Sequence, residues 1–199
     1  MTMENLSAVY DKLAADWALK KPEETWGFEE IKKFIELVGK GRVLDLGCAS
    51  GNHSKLLVDA GLNVVGIDIS PKMIEVATRK VPDAKFFVGD TLDLQFPRAY
   101  FDSIYTRAAL LHIPKRKIKK VVGSLHEILR KKGIIYVALK EGKGEREIFD
   151  EEEKVSRFSA FYKESEFKKF LEEANFEVIE TTYAKTERNR WLQFFAEKV

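Results

Sequence analysis

Two hydrophobic periodicities divide this chain. Up to about residue 40 the apolar positions fall three and four apart, as on one face of a helix; beyond it, short continuous apolar runs alternate with helical stretches. Leu6, Val9, Tyr10, Leu13, Ala14 and Trp17 line one face of a helix over Leu6–Leu19. Phe28, Ile31, Phe34, Ile35 and Val38 repeat the pattern over Trp26–Val38, which stops at Gly39 and Gly41. From Arg42 onward strands are predicted at 42–46, 63–67, 85–88, 102–106 and 133–139, with helices at about 52–60, 71–80 and 115–130. A helix at about 164–174 leads to strands near 176–184 and 191–197, joined as a hairpin by polar Lys185–Arg190.

Strands alternating with helices predict a parallel sheet covered on both faces by right-handed crossovers. Continuously apolar runs such as Ile134-Ile135-Tyr136-Val137-Ala138-Leu139 suit strands buried on both sides. The expected fold is α/β and doubly wound, a single domain of residues 1–199 with residues 1–40 as a helical cap and 41–199 as the core. Glu141–Ser156 is the least regular stretch, with Gly142, Gly144 and the acidic run Asp150–Glu153. It follows the fifth strand, so it emerges at the carboxyl edge of the sheet, where open α/β folds bind ligands. A solvated loop and an ordered lid are both consistent with it.

Composition narrows the classes. Thirty-four Lys plus Arg against 32 Asp plus Glu leave a net charge of +2, which argues against a broad nucleic-acid footprint while leaving local basic patches open. Nucleic acid is therefore an admitted partner but not the favoured one. The single cysteine, Cys48, excludes an intrachain disulfide and fits a reducing compartment. No apolar run approaches the roughly 20 residues of a membrane span, and Met1–Asp11 lacks a signal-peptide core. The expectation is a soluble cytoplasmic protein, monomer or homodimer, without a membrane partner. The His and Cys residues show no metal-ligand spacing, so no metal is expected.

The candidate chemistry gathers at Arg42-Val43-Leu44-Asp45-Leu46-Gly47-Cys48-Ala49-Ser50-Gly51 and Val64-Val65-Gly66-Ile67-Asp68-Ile69-Ser70. Each apolar run ends in an acid, and the first enters a glycine-rich turn that lets a ligand lie close to the main chain. An acid ending the second strand is where such folds accept a ribose hydroxyl. Asp45 beside the turn would repel a diphosphate but pair with an ammonium group, which disfavours a nicotinamide dinucleotide. Here the chain resembles the class I S-adenosylmethionine (SAM) methyltransferases, whose first motif reads roughly D-x-G-x-G-x-G; Ala49 departs from the middle glycine. The resemblance implies a mostly parallel seven-stranded Rossmann-like sheet, its last strand antiparallel between the fifth and sixth, with two extra N-terminal helices that often close over the cofactor. It implies SAM as cofactor and a cofactor site of Asp45, Gly47, Ala49, Gly51, Asp68, Ile69, Asp90, Thr91 and Arg107. Tyr10, with a polar tip on the apolar face of the first helix, joins that set.

Tyr105-Thr106-Arg107-Ala108-Ala109-Leu110-Leu111-His112-Ile113-Pro114 resembles the family's fourth-strand motif and following turn. His112 is the one titratable candidate there suited to base chemistry near neutrality, and is taken as the catalytic candidate beside a purely structural reading. His53 is read as facing solvent or the helix end, and His126 as structural. Lys140, Arg157, Arg190 and Trp191 are the candidate acceptor-binding residues, because the ends of the fifth and last strands share one rim. The expected function is methyl transfer to a heteroatom of a small-molecule acceptor. The alternatives are a tRNA-modifying methyltransferase, drawing on Lys115–Lys120 and Arg130-Lys131-Lys132, and a catalytically silent SAM-binding partner protein; an oxidoreductase is the weakest.

Overall fold

A computed structural model describes residues 3–19, 28–186 and 189–199. Two helices come first, α1 (Met3–Leu19) and α2 (Phe28–Val38). Trp26, the expected start of the second helix, lies outside the described residues. The alternating core follows as β1 (Arg42–Leu46), α3 (Asn52–Asp59), β2 (Asn63–Asp68), α4 (Pro71–Lys80), β3 (Lys85–Val88) and β4 (Phe101–Arg107). A 3₁₀ turn (Leu110–His112) leads to α5 (Lys115–Ile128) and β5 (Leu129–Lys140). Then come β6 (Glu145–Asp150), β7 (Val155–Ala160), α6 (Glu164–Glu173), β8 (Phe176–Lys185) and β9 (Arg190–Lys198).

Seven strands form the main sheet in the order β3-β2-β1-β4-β5-β9-β8. β1 pairs in parallel with β2 and β4, while β9 runs antiparallel to both β5 and β8. This is the expected mostly parallel α/β sheet with its last strand inserted antiparallel. The two faces are buried separately. Ile31 and Phe34 of α2 and Leu57 of α3 pack with Val43, Tyr105, Tyr136 and Phe195 on one face. Ile118 and Leu125 of α5 and Phe167 of α6 pack with Leu44, Ile104, Ile135 and Phe194 on the other. Each fully buried aliphatic or aromatic side chain there contributes roughly 1.5–3 kcal/mol.

The two N-terminal helices divide their work. α2 covers the sheet, with Ile31 and Phe34 at 0% exposure. α1 instead lies on α4, where Leu13 and Ala14 meet Met73 and Val76. The expected helix 115–130 stops at Ile128, and the next strand begins at Leu129 rather than 133. Leu129 is fully buried opposite Phe101, and Lys132 takes a left-handed φ of 63°, so the chain turns into the sheet before the apolar run that marked the strand.

The largest addition concerns Glu141–Ser156, the least regular stretch of the sequence, for which a solvated loop and an ordered lid are both open readings. Glu145–Asp150 and Val155–Ala160 pair antiparallel as a separate two-stranded sheet. It is tied to the main sheet where Glu141 bridges Tyr162, and Tyr162 N donates to Lys140 O at 3.1 Å. Among the described residues no helix is long and apolar enough to cross a membrane.

Candidate active site

The carboxyl ends of β1, β2 and β4 open into a cavity of about 620 Å³, within the usual range for small-molecule sites. Its floor is the turn after β1. Gly47 adopts φ 77°, and a Cβ there would come within 2.4 Å of Ala109 Cβ, so the turn needs a residue without a side chain. Gly47 N and Cys48 N both donate to Ile67 O, at 2.8 and 3.0 Å, which ties the turn to β2. Ala49 is left-handed at φ 47° and donates its N–H to Asp68 Oδ2 at 3.0 Å. Ser70 N donates to Asp68 Oδ1 at 2.9 Å, and Ser70 Oγ caps α4 by accepting from Met73 N.

Both acids at the strand ends face this cavity. Asp45, 3% exposed, accepts from Ser54 Oγ at 2.6 Å; burial raises its pKa to about 7, against the lowering effect of that bond. Burial likewise lifts Asp68 to about 6, opposed by the amides of Ser70 and Ala49. Ala49, Ile69, Thr91 and Arg107 also line the cavity. Burial lowers the pKa of Arg107.

Two predicted residues of this set stand elsewhere. Asp90 does not line the cavity; its Oδ1 accepts from Leu92 N at 2.8 Å, closing its own turn after β3. Gly51 does not line it either. It precedes α3 at φ 79°, with room only for its hydrogen beside Ala77, where a Cβ would lie 3.1 Å from Ala77 Cβ. Gly51 therefore serves the packing of α3 on α4.

The roof combines α1 with the β6–β7 hairpin. Tyr10 and Trp17 of α1 line the cavity with Ile148, Asp150, Arg157 and Ser159 of the hairpin. Trp17 Nε1 donates to Glu153 Oε1 at 2.9 Å, and Val155, like Val9, Tyr10 and Trp17, packs against the α1–α4 cluster of Leu13, Ala14, Met73 and Val76. α1 also holds the floor turns: Ser7 Oγ donates to Ile69 O, Ser50 Oγ to Trp17 O, and Ser70 Oγ to Asp11 Oδ1.

His112 stands between roof and floor. Its Nδ1 lies 2.7 Å from Phe158 O and its Nε2 2.8 Å from Tyr10 Oη. A carbonyl only accepts, so Nδ1 carries the proton and Nε2 accepts from the Tyr10 hydroxyl. Burial lowers His112 to about 4 and raises Tyr10 to about 12. Both are neutral at pH 7.

The four candidate acceptor residues separate into three situations. Lys140 and Trp191, opposite each other across β5 and β9, both line the cavity, with Lys140 Nζ 6.0 Å from the Trp191 ring centroid. Arg157 lines it too, but its guanidinium binds Asp150 at 2.9 Å and Glu153 at 2.7 Å and lies 5.7 Å from the Tyr10 ring. Arg190 does not reach the cavity: its side chain is 65% exposed and binds Glu141 at 2.9 Å on the outer side. The strand end places Arg190 at the right rim, but the adjacent carboxylate turns it outward.

His53, read as facing solvent or the helix end, instead lines the cavity, its ring 5.5 Å from Tyr105. Burial and Arg107 hold its pKa well below the usual value. Tyr105 also lines the cavity and stacks on Tyr136 at 4.8 Å. The hairpin side chains Ile148 and Ser159 were missed as well. Alternation was the available signal for Tyr105, two residues before Arg107 on β4; the hairpin offers almost none, because few of its positions are apolar.

A strand order of this kind with a cavity at the carboxyl edge defines an α/β methyltransferase-type fold. The family pattern described as a methyltransferase domain matches residues 43–133, from β1 into β5. Residues 43–133, a little under half of the chain, thus carry a methyltransferase domain of the class I S-adenosylmethionine-dependent type. It is 38% identical over 100 residues to a 2-methyl-6-phytyl-1,4-hydroquinone methyltransferase of Synechocystis, covering 48% of this chain and 31% of that protein. It is 27% identical over 143 residues to a demethylmenaquinone methyltransferase of Thermotoga maritima, covering 68% and 62%. The chain thus spans less than two thirds of the length of each of these two relatives. Its fold matches the 1,6-didemethyltoxoflavin-N1-methyltransferase of Burkholderia thailandensis, solved with 1,6-didemethyltoxoflavin and S-adenosylhomocysteine, with TM-score 0.70 at 18% identity, covering 100% and 91%.

Proposed function

We propose that this chain is a SAM-dependent methyltransferase that moves a methyl group to a heteroatom of a small-molecule acceptor. The observation that carries the reading is Asp68, a carboxylate at the end of β2 that faces the cavity while two backbone amides hold it in place. Its remaining lone pairs suit the two hydroxyls of a ribose. Asp45, with its pKa raised to about 7, gains an ionised form when a cationic ligand arrives. An acid-bearing floor with no lysine suits a cofactor that is an ammonium and a sulfonium and carries no phosphate. When bound, SAM supplies a methyl group already electrophilic on sulfur, so the protein's part is alignment, desolvation and charge.

Ile69 and Thr91 would flank the adenosine, and Arg107 with Tyr10 the amino-acid end. The acceptor would occupy the hairpin side, among His112, Lys140 and Trp191. His112 acts there by holding Tyr10, since its free lone pair is already engaged. The relatives' names support a flat ring acceptor: a hydroquinone, demethylmenaquinone and 1,6-didemethyltoxoflavin. Against a nucleic-acid substrate, Lys115 and Lys119 of α5 are paired with Glu166 and Glu173.

Calorimetry with SAM, S-adenosylhomocysteine and NADH tests the reading. Binding of the first two but not the third is expected, and binding of NADH alone would overturn it. Methyl transfer from SAM to members of a panel of ring hydroxyls and ring nitrogens tests the activity itself.

A further inference from the structure

Lys140 is the cation of the acceptor side with no carboxylate at ion-pair distance among the described residues. The charged groups around it are otherwise engaged. Asp150 and Glu153 bind Arg157, Glu141 binds Arg190, and Arg146 lies 4.0 Å from the Phe161 ring centroid. Lys140 ends β5 pointing into the cavity beside the flat face of Trp191, with Leu111, Ile113 and Ile148 supplying apolar wall. A partly buried ammonium with no carboxylate beside it is poorly compensated, and an anion placed against it offsets that cost. Burial first, then Arg157, lowers the pKa of Lys140, while Asp150 partly opposes this.

Neither His112 nor Tyr10 is available as a base for the acceptor's proton. His112 Nε2 already accepts from Tyr10, and Tyr10 holds its own proton to about pH 12.

Resting on the proposed function, we infer that the acceptor binds as an anion, an ionised oxygen on a flat ring, and that Lys140 is the residue that selects and stabilises that form. The transfer then needs no base. A lone pair of the ionised oxygen forms the new bond to the methyl carbon as the carbon–sulfur bond breaks; that pair goes to sulfur, and no proton moves in the step. Lys140 lowers the acceptor's pKa, and Trp191 receives the ring.

The probe is 4-nitrophenol, whose phenolate absorbs visibly where the phenol does not, titrated with protein loaded with S-adenosylhomocysteine. The wild type should shift its ionisation about one pH unit lower, the size expected for an opposite charge within contact range. Lys140→Arg should keep the shift and Lys140→Met should abolish it, with S-adenosylhomocysteine affinity by calorimetry unchanged in both. That retained affinity separates lost charge from lost fold. No shift in the wild type, or an equal shift in Lys140→Met, overturns the inference while leaving the cofactor reading intact. A wild-type protein that binds no S-adenosylhomocysteine overturns the proposed function and this inference together.

Discussion

The floor and the roof of the cavity are held in different ways. The turns after β1 and β2 keep their shape largely through main-chain groups: Gly47 and Cys48 donate N–H groups to the Ile67 carbonyl and Ala49 to the Asp68 carboxylate, acceptors about twenty residues away. α1 is held to the rest of the roof through side chains, Tyr10 with His112 of the 3₁₀ turn and Trp17 with Glu153 of the hairpin, across 102 and 136 residues of chain. Main-chain bonds survive most substitutions, whereas each roof contact depends on one residue type at each end. A floor of this kind presents fixed atoms to a cofactor, and a roof of this kind opens at low cost to admit an acceptor.

The largest effect should come from removing the carboxylate on which the floor converges. Asp68→Ala should weaken S-adenosylhomocysteine binding by roughly 1.5–3 kcal/mol for each charge-assisted bond lost, measured by calorimetry. Unchanged affinity would remove Asp68 from the ligand site and with it the contrast between floor and roof.

Acidity should read the floor separately. Asp45 and Asp68 have folded pKa values of about 7 and about 6, above the roughly 3.9 of an unfolded aspartate. Between those values each of these two acids binds more proton in the folded protein than in the unfolded chain. The contribution of these two acids to the stability of the ligand-free protein should therefore be fullest below about pH 4 and decline as pH rises towards 7, by on the order of 1.4 kcal/mol per acid for each pH unit crossed between its unfolded and folded values, while His112 and His53, held neutral by burial, act in the opposite sense. Asp45→Asn keeps an acceptor for Ser54 and should flatten the decline in denaturant titrations; an unaltered slope would mean that Asp45 titrates normally. S-adenosylhomocysteine affinity should rise over the same interval, because the ligand favours the ionised acids.

Gly47→Ala tests the geometry of the turn itself. The left-handed φ costs about 1–2 kcal/mol, and the approach to Ala109 adds overpacking of roughly 1–3 kcal/mol. Both stability and cofactor affinity should fall, and a neutral result in urea unfolding would show that the turn yields freely.

The roof should respond least. Tyr10→Phe loses the bond to His112 Nε2 and should cost about 0.5–1.5 kcal/mol. Hydrogen exchange should quicken over residues 3–19 and 145–160 together while the β1–β2 turns stay protected. Faster exchange in α1 alone would show that the helix and hairpin open separately.

The alternation of strands and helices, the acids at their ends and the glycine turn after β1 were legible in the chain, because each depends on neighbours within a few residues. A strand buried on both faces must be apolar throughout, and a turn at φ 77° beside Ala109 must be glycine, so local sequence carries the signal. The β6–β7 hairpin was not legible for the opposite reason. Glu145–Asp150 reads Glu-Arg-Glu-Ile-Phe-Asp, with one face turned to a polar cavity and Phe149 left 52% exposed, so no apolar alternation marks it as a strand. Lys140 and Arg190 show the same limit within one rim. Both are cations at adjacent strand ends, and only tertiary packing decides that Glu141 draws Arg190 outward while Lys140 stays in the cavity beside Trp191. Periodicity reports which face a residue occupies; the partner that captures its charge comes from distant chain, and only the assembled fold brings the two together.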